Sequence, residues 1–139
     1  MIVLVLCRDR PGTQELRRAI RPAHLEYMMA ARSRLVFGGP LTAEDGLAVG
    51  AVFALRVATT SEASRFLAGE PYHQAGVFES VVVHPMRQMV PEDPPGLLDA
   101  ELDRARAAAV DTSVADAAGL AEPISLPRKR GYSDLEKRP

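Results

Sequence analysis

The sequence is poor in the residues on which several classes of protein depend. It has one cysteine in 139 residues, which excludes a disulfide within the chain and a metal site built from several cysteines. It has no tryptophan, and aromatic residues make up 5%, so it lacks a stacking surface for single-stranded nucleic acid. A formal net charge of −1 offers no basic balance for nucleic acid or an anionic membrane. We therefore expect no nucleic-acid partner and no membrane partner.

Long apolar runs are also absent. The N-terminal segment MIVLVLC is too short to span a membrane, and charge follows it at Arg8, Asp9 and Arg10 instead of preceding it as in a signal peptide. We interpret the segment as a buried strand with Cys7 as a structural thiol. The scarcity of cysteine fits a reducing compartment, and we expect a cytoplasmic protein.

The composition changes near Met86 and divides the chain into two unequal parts. Residues 1–90 carry the strand and helix patterns of a folded domain. Residues 91–139 open on the linker-like PEDPPG and continue into a helix-forming segment at about residues 96–110. The remaining residues, 111–139, show little periodicity, so we expect them to be mostly disordered, with the basic cluster PRKRG belonging to a solvated tail.

Apolar segments and turn signals in the first part predict six elements in the order β-α-β-β-α-β. The strands are predicted at 2–7, 34–41, 47–58 and 77–86, and the helices from a cap at Thr13 to about Arg32 and from a cap at 59–61 to about Ala68. Right-handed crossovers place both helices on one face of a four-stranded antiparallel sheet, which is the ferredoxin-like α+β arrangement. Alternate residues on the other face are apolar too, so we expect a homodimer that packs sheet against sheet.

The first predicted helix carries a histidine, His24, at the border between its apolar stripe and its rim. Projection at 100° per residue puts Arg17 and Arg21 on the same flank as this histidine. Pro22 either kinks the helix or opens a new helical turn, and the pattern does not choose between the two. The stripe itself comprises Leu16, Ala19, Ile20, Ala23, Tyr27, Ala30 and Ala31.

Four short features, in matching order and spacing, resemble the YciI-like family (YCII-related domain) of dimeric α+β barrels. They are RPAHLEYM at 21–28, GGPL at 38–41, Gly50, and EPYHQAGVFES at 70–80. The resemblance covers residues 1 to about 88. It implies a ferredoxin-like fold, a homodimer, and a small-molecule ligand bound in a cleft of each subunit.

The resemblance also implies that this cleft holds a histidine–acid pair. The R-x-x-H-L motif of the family corresponds to Arg21 and His24, and its D-P-Y motif reads Glu70-Pro71-Tyr72 here, with glutamate in place of aspartate. Imidazole titrates near neutral pH, and a carboxylate on one ring nitrogen fixes its tautomer. We therefore expect His24 to act as the base and Glu70 to orient it. The longer glutamate leaves open whether the site is active or retuned.

Five further residues are predicted to bind the substrate. Arg21 would hold an anionic group or neutralise the acid, and Tyr72 would donate a hydrogen bond. Gly39 and Pro40 would shape one wall. Asp9 would line the cleft or cap the turn that follows it.

No metal and no cofactor are predicted. The three histidines lack metal-ligand spacing, and no glycine-rich phosphate loop, nucleophile elbow or Cys–His signature occurs. The sequence thus predicts a lyase or isomerase that performs acid–base chemistry on a small anionic or aromatic molecule. Two alternatives stay open: a non-catalytic ligand-binding or regulatory domain, and a dimeric module whose tail contacts a partner.

Overall fold

The computed structural model describes residues 1–116, with side chains to residue 111. Its elements are β1 (Ile2–Asp9), α1 (Gln14–Ala30), a 3₁₀ turn (Arg32–Arg34), β2 (Leu35–Thr42), β3 (Ala48–Arg56), α2 (Thr60–Gly69), α3 (Pro71–Gln74), β4 (Phe78–Met86) and α4 (Leu97–Asp116). Two compact units are distinguished, Met1–Asp93 and a second that begins at Pro94.

The four strands form one antiparallel sheet in the order β2-β3-β1-β4. The first strand lies in the interior of the sheet, where Val5 pairs with Phe53 on one side and Val83 on the other. This position suits β1, because an apolar, β-branched segment is favoured where it is paired on both edges. The predicted ferredoxin-like α+β fold is confirmed.

Strand alternation places the core between the sheet and the helices. Val3, Val5 and Cys7 on β1 are fully buried and pack in one cluster with side chains of α2 and α3. Residues at every second position of a strand share one face, which is why this set points to the helices together. The other buried members of the cluster are Ala31, Ala51, Phe53, Leu55, Val57, Ala63, Phe66, Leu67, Tyr72, Val77 and Phe78.

Helix α1 faces the sheet with a different stripe from the predicted one. Its sheltered side chains are Arg17, Ile20, His24, Tyr27 and Met28, whereas Leu16, Ala19, Ala23 and Ala30 of the predicted stripe are exposed. The helix is therefore rotated so that Arg17 and His24 face inward, where Asp9 and Glu70 are their partners. It runs through Pro22 without ending there.

Two local predictions are corrected at helix ends. Thr13 precedes α1, but its hydroxyl donates to the carbonyl of Arg10 at 2.6 Å and makes no capping bond to the helix. The segment predicted as an irregular connection contains the short helix α3. Glu70 caps it by accepting a hydrogen bond from the backbone N–H of His73, and Pro71 occupies the first helical position, where its missing N–H costs nothing.

The sheet face away from the helices keeps apolar side chains exposed. Leu6 is paired with Val52 and Val82 across the sheet, so the three share one face. Leu6, Val82 and Phe37 are each more than 40% exposed in the single chain.

Gly50 on β3 is a position where the backbone needs glycine. A Cβ added there would lie 2.2 Å from the carbonyl oxygen of Cys7 on the neighbouring strand. We expect Gly50→Ala to lower the free energy of unfolding by about 2–3 kcal/mol, measured by urea denaturation, because the strands must separate to admit the methyl group. Gly39→Ala is the control, since a Cβ there meets nothing within 4 Å. Equal stability of the two variants would contradict the prediction.

The second unit contributes α4, which extends six residues past the predicted end at residue 110. Its alanine-rich sequence favours continuation of the helix. The predicted disordered tail, insofar as it concerns residues 117–139, lies outside the described residues. No helix within residues 1–116 is long and apolar enough to cross a membrane.

Candidate functional site

The structure brings together His24 of α1 and Glu70, which lie 46 residues apart in the sequence. Nδ1 of the imidazole is 2.6 Å from Oε1 of the carboxylate. The glutamate side chain is fully buried, and that of the histidine is 12% exposed. The other carboxylate oxygen accepts the backbone N–H of His73 at 2.8 Å. One carboxylate oxygen thus accepts a backbone N–H, and the other lies within hydrogen-bond distance of Nδ1. An ionised carboxylate can only accept, so Nδ1 is the donor when Glu70 is ionised.

Glu70 connects three helices through its backbone and its side chain. It ends α2, starts α3 and points its free oxygen back at α1. Pro71 restricts the preceding residue to an extended backbone, and Glu70 adopts φ −72° and ψ 124°. The Glu-Pro-Tyr sequence therefore fixes the direction of the carboxylate through the backbone as well as through the cap.

Tyr72 forms a layer against the histidine. Its ring is stacked on His24 with centroids 4.1 Å apart and an interplanar angle of 19°. The guanidinium carbon of Arg17 lies 4.5 Å from the centroid of the same tyrosine ring. The phenol is fully buried, so its contact with His24 restricts rotation of the imidazole about the Cβ–Cγ bond.

Arg17 is the site residue to which the sequence analysis gave no role. It is 6% exposed, and Nη1 donates to both oxygens of Asp9 at 3.0 and 2.9 Å, while Nη2 donates to the carbonyl of Gly50 at 3.2 Å. Burial raises the pKa of Asp9 above its usual 3.8, and the guanidinium of Arg17 opposes that shift. A signal for Arg17 was present: it lies seven residues before His24, two helical turns away on the same face.

A cleft of about 240 Å³ opens beside this group. Its lining includes His24 and Arg21 from α1 and Gly39 and Pro40 from β2, as predicted for a wall. Apolar side chains complete it, namely Leu25, Met28, Leu35, Ala51 and Phe53, together with Gly38 and the guanidinium of Arg17. Its volume is below the roughly 300–1,000 Å³ of pockets for drug-sized ligands, so a small molecule fits it best.

Two predicted substrate-binding residues lie elsewhere. Asp9 is not part of the cleft lining, and Arg17 occupies both of its oxygens. Tyr72 lies behind His24, in the wall of a neighbouring cleft. Both residues thus contact the groups that line the first cleft without lining it themselves.

The described residues contain no cluster of three or more His, Cys, Asp or Glu side chains that would hold a metal. Cys7 is buried next to the site, and burial together with the charges of Glu70 and Asp9 raises its pKa to about 12. Its thiol is therefore neutral near pH 7 and unsuited to act as a nucleophile. The chemistry available from these residues is that of an imidazole, a carboxylate and two guanidinium groups.

Comparison with known proteins places the chain in a family. The sequence profile of the YCII-related domain matches residues 1–87. The chain belongs to this family. Protein YciI of Escherichia coli O6:H1 is 29% identical over 97 residues, which span 64% of this chain and 99% of that protein. An uncharacterized protein of Haemophilus influenzae is 31% identical over 98 residues, with the same coverage of both chains.

One similar solved structure is an enzyme in complex with a small molecule. It is the 5-chloro-2-hydroxyhydroquinone dehydrochlorinase of Burkholderia phenoliruptrix, in complex with 2,5-dihydroxybenzoquinone. The two chains superpose with a TM-score of 0.60 and 25% sequence identity, over 63% of this chain and 95% of the enzyme.

Proposed function

We propose that this YCII-related protein is a cofactor-independent enzyme that eliminates or isomerises a small anionic or aromatic molecule by acid–base catalysis. The observation that carries the proposal is the 2.6 Å contact between His24 and a fully buried Glu70, in a cleft too small for a large ligand. The similarity to a dehydrochlorinase supports elimination as the reaction class.

In this proposal each ring nitrogen of His24 has a separate task. With Glu70 ionised, Nδ1 keeps the ring proton and donates a hydrogen bond to the carboxylate. The lone pair of the neutral imidazole is then on Nε2. No described residue hydrogen-bonds to Nε2. This nitrogen takes a proton from the substrate, the released electron pair forms the new double bond, and the leaving group departs with its own pair. The buried carboxylate stabilises the imidazolium that results.

Arg21 lines the cleft one helical turn before His24 and makes no ion pair with any described residue. In the proposal it binds an anionic oxygen of the substrate. A guanidinium in this position favours the anion that develops when a hydroxyl of the substrate loses its proton. Gly39 and Pro40 form part of the wall against which the substrate is held.

Chloride release from 5-chloro-2-hydroxyhydroquinone tests the proposal. The parent protein is expected to release chloride above the buffer rate, and His24→Asn is expected to lose about 10²–10⁴-fold of that rate, because the base is gone. His84→Asn is the matched control, since His84 is exposed on β4 and lines neither cleft. An equal loss in the control variant, or no loss in His24→Asn, would refute the role of His24.

A second candidate is a non-catalytic ligand-binding domain, which the cleft favours as much as it favours an enzyme. Binding of 2,5-dihydroxybenzoquinone, followed by its absorbance, distinguishes the two. Saturable binding by the parent protein, with no chloride released from the chlorinated compound, would favour the binding domain over the dehydrochlorinase-like enzyme.

We further propose that the protein is a homodimer through the open face of its sheet. The exposed Leu6, Val82 and Phe37 support it, because a contiguous apolar surface of this kind is usually covered in solution. We expect Leu6→Glu to convert a dimer into a monomer in sedimentation-velocity experiments at micromolar concentration. Leu25→Glu, an equally exposed leucine on α1, is the control that should stay dimeric. A monomeric parent protein would overturn the proposal.

A further inference from the structure

A second cleft, of about 180 Å³, adjoins the one that contains His24. Its lining comprises Gln14, Arg17, Arg18, Arg21, Ala48 and Tyr72. Arg17 and Arg21 line both clefts, so the two cavities share a wall of guanidinium groups. Apart from the arginines and His24, the first cleft is lined mainly by apolar side chains. The second cleft is lined by three arginines and the amide of Gln14, with Ala48 and Tyr72.

The positive charges in the second cleft are unequally balanced. Asp9 neutralises Arg17 through two hydrogen bonds. The only ion pair of Arg18 among the described residues is a 4.0 Å contact with Glu15, whose side chain is 95% exposed, so that pairing is weak. Arg21 has no ion-pair partner in the described part of the chain. Two guanidinium groups are therefore available to an anion.

Tyr72, which belongs to the lining of the second cleft, has an unpaired hydroxyl in the region that the structure describes. The hydroxyl of Tyr72 is buried and has no hydrogen-bond partner among the described residues. Leaving a buried hydroxyl without a partner costs about 1–3 kcal/mol. Arg17 packs against the ring of Tyr72, with its guanidinium carbon 4.5 Å from the ring centroid.

One hydrogen bond joins the two elements that carry most of this lining. Nε2 of Gln14 donates to the carbonyl of Ala48 at 2.7 Å and so joins the start of α1 to the start of β3. The cleft thus lies between α1 and β3, which this hydrogen bond joins.

We propose that the second cleft is an anion subsite that binds the carboxylate of the substrate through Arg18 and Arg21, with Tyr72 at its wall. The apolar body of the same molecule then extends into the first cleft, beside His24. The ligand class that this subsite favours is accordingly a small ring compound with an anionic oxygen group next to the ring, and a carboxylate is its simplest stable form. The part of this inference that concerns the reacting atoms rests on the proposed function, whereas the binding of the carboxylate does not.

Binding of benzoate, measured by isothermal titration calorimetry at low ionic strength, tests the subsite. Benzyl alcohol is the neutral probe of similar shape. We expect benzoate to bind more tightly than benzyl alcohol, and Arg18→Gln and Arg21→Gln each to weaken benzoate about three- to tenfold, the loss of one charged contact. Neither substitution should change the affinity for benzyl alcohol.

Arg18→Gln is the decisive variant, because Arg18 lines the second cleft and not the first. Because the side chain of Arg18 is exposed, we expect the substitution to leave the fold unchanged. Arg32→Gln removes the same charge from a residue that lines neither cleft, and it should bind benzoate like the parent protein. Weakening by Arg21→Gln alone would place the carboxylate in the first cleft and overturn the inference. So would equal weakening by all three variants, or benzoate binding no tighter than that of benzyl alcohol.

The same titration on His24→Asn separates this inference from the proposed function. We expect its benzoate affinity to stay within about twofold of the parent value, since the carboxylate contacts are intact. If the parent protein releases no chloride in the elimination assay but binds benzoate with the expected arginine dependence, the subsite stands without the enzyme. If chloride is released and Arg18→Gln leaves benzoate affinity unchanged, the enzyme stands without the subsite.

Discussion

An Arg17→Met variant is expected to have a free energy of unfolding about 3–5 kcal/mol lower than the parent protein at pH 7. The substitution keeps an apolar stem of similar length but leaves the carboxylate of Asp9, 7% exposed, without its partner. A buried charge that has lost its partner is costly because it has neither water nor an opposite charge to stabilise it. Urea denaturation followed by circular dichroism measures the difference.

The pH dependence of this loss identifies its cause. Burial already raises the pKa of Asp9 in the folded protein, and removing the guanidinium of Arg17 removes the influence that opposes the shift. A raised pKa in the folded state means that the stability is present below the unfolded-state pKa and is lost as the pH rises through the folded value. The deficit of Arg17→Met should therefore be large at pH 7 and fall to about 1 kcal/mol near pH 4, which reflects the lost bond to Gly50.

Two further variants distinguish the ion pair from general damage to α1. Arg17→Met combined with Asp9→Asn removes both charges and should recover a large part of the loss at pH 7. Arg18→Met, at a neighbouring position with a 77% exposed side chain, should stay within about 0.5 kcal/mol of the parent protein. A deficit independent of pH, or a double variant less stable than the single one, would contradict a buried ion pair.

The fold of the first unit was predictable because its elements depend on local patterns. The run from Ile2 to Cys7 is apolar and β-branched enough to be an interior strand. Turn residues between the segments fix where each element ends. The order of elements then leaves few topologies, because crossovers are right-handed.

The orientation of α1 was not predictable from its apolar residues. A projection based on hydrophobicity does not count an arginine such as Arg17 as buried. The buried face that it predicts for α1 is therefore rotated away from the observed one. Arg17 faces inward because Asp9 and the carbonyl of Gly50 receive its hydrogen bonds. Those acceptors belong to β1 and β3, and their position relative to α1 is a property of the tertiary structure.

The candidate site was predictable as a set of residues only through the resemblance to the family. No local sequence pattern around His24 or Glu70 specifies that the two side chains meet. The helix α3, which orients the carboxylate, was predicted as a loop. The start of α3 had a readable signal, since a proline such as Pro71 suits the first position of a helix. The contact of Tyr72 with His24 had none, because stacking depends on where α3 packs.

A Glu70→Gln variant is expected to lose about 10²–10⁴-fold of any turnover that depends on His24, with little loss of stability. The amide oxygen can still accept the N–H of His73 and keep the cap of α3. The amide nitrogen then faces Nδ1 of His24 and can only donate to it. The neutral imidazole responds by carrying its proton on Nε2, so the nitrogen that faces the substrate is no longer a base.

Nitrogen-15 chemical shifts of the histidine ring report this change without any substrate. The parent protein is expected to show the Nδ1-protonated form of His24 and Glu70→Gln the Nε2-protonated form. Glu70→Asp restores the acid that the family motif carries and should keep the parent tautomer. Glu79→Gln removes an equal charge from an exposed position on β4 and should change neither shift nor rate.

The two readouts together locate the function of the carboxylate. A changed tautomer with an unchanged rate would mean that His24 is not the base, although the pair is real. A lost rate with an unchanged tautomer would mean that Glu70 acts by its charge, stabilising the imidazolium, and not by orienting the ring. Loss of both in Glu70→Gln, with both retained in Glu79→Gln, is the result that a buried orienting acid requires.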